Sequence, residues 1–128
     1  MKTTVTESGT LVPVTALLDA WASHDWQNGT VIGALAVHDQ LIVRTRNSTY
    51  EIIVTVPQTA EILVRGGRFF PEFTHARVGG CSLGEGFLKL HGVYVGFQLE
   101  IFADDQPSVV TTRIRTVRII PAQDGTMM

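Results

Sequence analysis

The chain has 128 residues, 45% of them hydrophobic and 17% charged, with a formal net charge of −2. This length fits one domain whose core is held by packing alone, and the near-neutral total weighs against polyanion binding through bulk charge. A single cysteine, Cys81, excludes an internal disulfide. No apolar run approaches the roughly 20 residues a membrane-spanning helix needs, and the opening MKTTVTESGTLVPV lacks the apolar stretch of a secretion signal, so a soluble, cytoplasmic protein is expected.

Residues 1–10 are polar and rich in Thr and Ser, as expected of a flexible N-terminus. Val14, Leu17, Leu18 and Trp21 then recur at i, i+3, i+4 and i+7. That one-sided stripe predicts a short helix with Pro13 in its first turn and Thr10 or Thr15 as its cap. Asn28-Gly29 would end it.

From residue 30 the apolar period becomes two. Thr30 to Val37 reads as a closely packed strand and His38-Asp39-Gln40 as a turn. Leu41, Val43 and Thr45 share one face of the next strand, opposite Ile42, Arg44 and Arg46. After Asn47-Ser48, Tyr50, Ile52, Val54 and Val56 alternate with Glu51, Ile53 and Thr55, a strong strand signal. Ile62 and Val64 then alternate with Glu61, Leu63 and Arg65, and Gly66-Gly67 reads as a hairpin turn or bulge.

Arg68 to Phe87 is less regular, and reads as an elaborate connection or short broken strands. Leu88 to Leu90 begins another strand. Val93, Val95, Phe97, Leu99 and Ile101 line one face of what reads as a single long strand, followed by a turn at Asp104 to Pro107. In Val109 to Ile120 the apolar parity slips between Ile114 and Val117, which predicts a bulge or bend near Arg115-Thr116, or two short strands in place of one. Residues 122–128 are expected to be a flexible tail. The whole predicts a mainly β fold: a small antiparallel β-barrel or sandwich with one short N-terminal helix, forming a single domain over 11–121.

Several residue sets bear on chemistry. His75, Cys81 and His91, with His24 or His38, offer metal-ligand atom types, but their spacing matches no compact ligand pattern, so no metal and no cofactor are expected. Cys81 lies in Gly79-Gly80-Cys81-Ser82-Leu83-Gly84, where backbone amides could surround a nucleophile with His75 or His91 as base and Glu72 or Glu85 as orienter. The buried-thiol reading is the stronger one, because free cysteine is among the most buried residue types. The glycines at 79, 80, 84 and 86 resemble a phosphate cradle, yet the residues that follow lead into a strand and not into a helix.

Arg44, Arg46, Arg65, Arg68, Arg113, Arg115 and Arg118 would form a stripe if their strands were neighbours. Tyr50, Phe69, Phe70 and Tyr94 would then offer stacking faces, as in oligonucleotide-binding barrels. Interleaved acidic residues and the negative total weigh against nucleic acid. Ile42, Ile53, Leu63, Tyr94 and Phe102 stand opposite core positions, which points to a protein interface.

Thr45-Arg46-Asn47-Ser48-Thr49-Tyr50-Glu51-Ile52, with Val64-Arg65-Gly66-Gly67-Arg68-Phe69-Phe70-Pro71-Glu72, resembles a block in small bacterial all-β proteins. Gly92-Val93-Tyr94-Val95-Gly96-Phe97-Gln98-Leu99-Glu100, followed by Val110-Thr111-Thr112, is similar to the same group. The resemblance spans about residues 40–120. It implies a bacterial origin and a β-rich fold, and carries no activity and no site residue.

The expectation is therefore a non-enzymatic binding or interaction module that self-associates, a dimer being favoured. A first alternative is a ligand-binding barrel or small enzyme using Arg68, Phe70, His75, Arg77 and Cys81 in the Arg68–Phe87 region. A second is single-stranded nucleic-acid binding on an arginine-rich sheet face.

Overall fold

The computed structural model describes residues 3–5, 11–13, 28–82, 88–104 and 106–122. Among them eleven strands run in chain order: β1 (Thr3–Val5), β2 (Leu11–Pro13), β3 (Gly29–Val31), β4 (Gln40–Thr45), β5 (Thr49–Val56), β6 (Glu61–Gly66), β7 (Phe70–Ser82), β8 (Leu88–Leu90), β9 (Gly92–Tyr94), β10 (Gln98–Ala103) and β11 (Val109–Ile120). The protein is mainly β, and every strand pair is antiparallel.

The principal sheet has seven strands in the order β10-β11-β4-β5-β6-β7-β8, and β10 also pairs with β7. The pairs β4–β5, β5–β6, β6–β7, β7–β10, β10–β11 and β11–β4 therefore close into a ring of six strands. Closure removes the unpaired edges that an open sheet presents. β8 pairs with the end of β7 that projects past β6, at Gly80, Cys81 and Ser82.

The core fills the ring because the strands alternate. Leu41 and Val43 on β4, Tyr50, Ile52 and Val54 on β5, Ile62 and Val64 on β6, and Leu99 and Ile101 on β10 are all buried in one cluster. Each such aliphatic side chain contributes about 1.5–3 kcal/mol by leaving water. By contrast, the bidentate Arg65–Glu51 ion pair on the outer face, at 3.0 and 2.8 Å, has both partners 44% exposed and contributes at most about 1 kcal/mol. The interior, not the surface ion pairs, holds the fold. A second cluster of Cys81, Tyr94 and Phe97, joined by Val31, packs where β7 overhangs the ring.

Local chemistry sets the connections. The Thr45 hydroxyl accepts from the Ser48 N–H and donates to the Ser48 carbonyl, both at 3.3 Å, closing the turn between β4 and β5. Gly66 has φ 131° and would drive a Cβ into the Thr49 carbonyl, so the β6–β7 connection needs glycine there. The register shift between Val64 and Gly66 adds a bulge, so this glycine pair serves both turn and bulge.

Several elements differ from the sequence reading. The stripe Val14, Leu17, Leu18 and Trp21 lies outside the described residues, but Pro13, expected in the first turn of a helix, ends β2 instead. The only helical turns among the described residues are two 3-10 turns, Ile32–Ala34 and Pro57–Thr59. Thr30 to Val37 is accordingly not one strand. Val56 is exposed, because Pro57 ends the alternation by starting a 3-10 turn.

The irregular stretch after Arg68 contains the longest strand, Phe70–Ser82, whose 13 residues carry two register shifts, one against β6 between Phe70 and Thr74 and one against β10 where Val78 and Gly80 face Ile101 and Glu100. The expected strand over 93–101 is two strands, β9 and β10, separated by a turn at Val95 and Gly96, where Gly96 has φ 97°. The irregularity expected near Arg115 is present as a bulge: Ile114 and Thr116 face the consecutive residues Thr45 and Arg44, leaving Arg115 unpaired between them. No helix among the described residues is long and apolar enough to cross a membrane.

Candidate functional site

β4 and β11 are neighbours in the ring, with Thr116 facing Arg44 and Arg118 facing Ile42. That pairing brings together residues some 70 positions apart in the chain. Arg44 and Arg118 point outward with the strand alternation. Arg115 stands on the bulge, which bends a strand and re-aims a side chain. Arg113 faces Gln98 of β10, and Arg46 sits in the turn that leaves β4. All five guanidinium-bearing residues are exposed, and none makes an ion pair among the described residues.

No carboxylate lies on the ribbon's own segments. β4, β11 and residues 46–48 contain no acidic residue at all. The ribbon thus carries +5 in a chain of −2, and the rest of the sequence sums to −7. Of the carboxylates near the ribbon among the described residues, Glu51 faces Ile42 but is held by Arg65, Glu100 faces Val110, and Asp39, just before β4, is held by the Ala36 and Ala122 N–H groups. The sequence-wide charge average hides this separation.

At the end of the ring where β4 turns into β5, the ribbon meets a pocket of about 140 Å³. Its walls include Asn47 and Ser48 from the β4–β5 turn, Arg68 and Phe69 from the β6–β7 turn, and Val110 and Thr112 from β11. Arg46 lies in the chain between the lining residues Thr45 and Asn47, and Arg113 directly follows Thr112. The Arg68 guanidinium stands 5.6 Å from the centre of the Phe69 ring, and Phe69 is 49% exposed. The Thr112 hydroxyl is out of water with no hydrogen-bond partner among the described residues. Its neighbour Thr111 is satisfied: its hydroxyl accepts from the Leu99 N–H at 3.0 Å and donates to the Thr112 carbonyl.

The residues singled out for a ligand site in the Arg68–Phe87 region do not come together. Arg68 is on the pocket wall. Phe70 is fully buried in the core, and Cys81 is fully buried in the second cluster. His75 and Arg77 are exposed on β7, where His75 meets Glu61 at 3.2 Å and Asp104 at 3.9 Å. The 13-residue run of β7 explains the dispersal, because extended backbone spreads these side chains along the ring and onto both its faces.

Burial pushes the Cys81 thiol up to about 11, against a smaller opposing effect of nearby hydrogen bonds and Lys89. The thiol is therefore protonated at neutral pH and is not an activated nucleophile. Glu61 is held below the ordinary carboxylate range, chiefly by the Thr59 hydroxyl, which donates to it at 2.6 Å, with His75 adding to the effect.

Of the histidines, His38 and His91 occupy left-handed turn positions with φ 74° and 57°, and His24 lies outside the described residues. Among the described residues, no group of three His, Cys, Asp or Glu side chains is arranged to hold a metal ion.

The residues expected at a protein interface divide into two sets. Ile42, Ile53 and Leu63 lie on the outer face, half-buried, with Ile53 opposite Leu63. Tyr94 is buried against Cys81 and Phe97 by the chain itself, and Phe102 lies over Gly79 on β7. Compared with known protein families, with curated proteins and with solved structures, the chain matches none.

Proposed function

We propose that this protein is a non-enzymatic binding module in which the closed six-strand ring acts as a small barrel scaffold and β4 with β11 hold a polyanion. One observation carries the reading: five exposed arginines without ion-pair partners among the described residues stand on two neighbouring strands and one turn that contain no carboxylate. Arginine stays charged at any physiological pH, and its planar fork matches phosphate oxygens pairwise. Clustered like charges repel one another, and a bound polyanion reverses the sign of that interaction.

The test is binding of a fluorescent single-stranded oligonucleotide over a salt series, with inorganic polyphosphate as competitor. Each neutralised phosphate steepens the log–log salt dependence by about 0.7, so five contacts give a slope near −3.5. Arg44→Gln with Arg118→Gln should reduce the steepness by about 1.4. No binding at low ionic strength ends the proposal.

A second reading, self-association, draws on the outer face of β4, β5 and β6. Ile53 stands opposite Leu63, and Ile42 lies diagonally across on β4, giving a short apolar stripe. Such a stripe suits a symmetric dimer. A solution mass above 14.0 kDa that falls to the monomer value in Leu63→Glu would support it. A monomer at micromolar concentration would exclude it.

A further inference from the structure

We infer that the pocket at the end of the arginine ribbon receives one base of a single-stranded nucleic acid whose phosphates follow Arg46, Arg44 and the arginines of β11. This rests on the polyanion reading and adds to it the chemistry of the ligand. A ribbon of charge alone accepts any polyanion, but the pocket beside it offers a different kind of contact. Phe69 and Val110 both line the cavity, and they are 49% and 51% exposed. These are faces against which a flat ring can lie. Around them, Asn47 carries both a donor and an acceptor, Ser48 a hydroxyl, and Arg68 a guanidinium without an ion-pair partner among the described residues.

Size narrows the choice. A cavity of about 140 Å³ falls short of the roughly 300–1,000 Å³ typical of sites for drug-sized molecules, so it suits a single ring system. Stacking on an aromatic beside a basic track is how single strands are held without dependence on sequence. A duplex keeps its bases inside the stack and would use only the ribbon. An anionic membrane would use the ribbon too, but it offers no ring for Phe69.

The experiment compares four probes on the full chain: a short single-stranded DNA of mixed sequence, the RNA of the same sequence, the same DNA with abasic sites throughout, and inorganic polyphosphate. Phosphatidylserine vesicles and the DNA duplex serve as alternative ligands. The single strand should bind more tightly than its abasic counterpart. Phe69→Ala should weaken the single strand by roughly five- to a hundred-fold, as expected from losing one stacked base, while leaving polyphosphate binding unchanged. Asn47→Ala, in a turn away from the core, is the second variant and should show the same selectivity with a smaller effect.

The DNA and RNA arms report which sugar is accepted, and preference for either supports the inference. Equal binding of intact and abasic strands, with Phe69→Ala harmless to both, overturns the base subsite while leaving the polyanion reading intact. Binding to vesicles or duplex with none to the single strand also overturns it. No binding of any probe at low salt overturns the polyanion reading itself.

Discussion

The ring of Phe102 on β10 occupies the space that a Cβ on Gly79 of β7 would need. Gly79 is buried and has no left-handed φ, so the requirement for glycine is steric and comes from its neighbour. It lies where the β7–β10 register shifts, with Val78 facing Ile101 and Gly80 facing Glu100. Gly79→Ala should therefore cost about 1–3 kcal/mol through overpacking. In a Phe102→Ala background the same substitution should cost much less, which a double-mutant cycle by chemical denaturation would detect. Equal costs in the two backgrounds would show that the ring is not the obstacle.

This contact also shows where sequence reading succeeds and where it stops. Strict alternation exposed Leu41, Val43 and Thr45, then Tyr50, Ile52 and Val54, then Ile62 and Val64 as inward residues, because each strand has one wet and one dry face. The parity slip after Ile114 marked an irregularity near Arg115-Thr116 for the same reason, and the structure makes it a bulge. Phe70–Ser82 stayed obscure because its last residues are covered on both faces, and Gly79 and Gly80 look like a loop in sequence while filling a bulge between paired strands. Val93 to Ile101 was misleading in the opposite way: parity survives the turn at Gly96, so two strands read as one. The arginine ribbon was visible only as a condition. Arg44 and Arg118 become neighbours only when β11 closes the ring on β4, a pairing between strands far apart in sequence that no local pattern encodes.

Cys81 supplies a prediction in the alkaline range. Its thiol is fully buried beside Tyr94 and Phe97, and burial raises its pKa to about 11. In the unfolded chain a cysteine ionises near 8.5. Between those values the unfolded state loses its proton and the native state keeps it, so stability present below about pH 8.5 is lost as pH rises toward 11. A shift of this size corresponds to at most about 3 kcal/mol. Tyrosines and lysines titrate in the same range, so the measurement is the difference between the native chain and Cys81→Ala. The substitution leaves a small cavity but should flatten the alkaline decline. A thiol reagent at neutral pH should react with the denatured chain and hardly at all with the native one. Fast native labelling would contradict the burial.

Asp39 acts as a clasp between distant parts of the chain. One carboxylate oxygen accepts from the Ala36 N–H at 2.8 Å, in the turn before β4, and the other accepts from the Ala122 N–H at 2.7 Å, just past β11. The two backbone N–H groups hold its pKa below the ordinary aspartate value, the Ala36 bond having the larger effect. A lowered pKa means that the carboxylate binds its proton less readily folded than unfolded. Its contribution is therefore present above about pH 4 and is lost as the pH falls through the lowered value. Asp39→Ala should destabilise the protein by about 1–3 kcal/mol at neutral pH, in the range for hydrogen bonds to a charged acceptor. Denaturant titrations of both proteins from neutral to acid pH should show the two stabilities converging. A gap that stays constant down to the acid limit would mean that the charge on Asp39 contributes nothing, and that the clasp works through shape alone. Amide exchange at Ala122 supplies an independent readout, since its protection should drop in Asp39→Ala at neutral pH while protection at Val43 and Ile52, inside the ring, is kept.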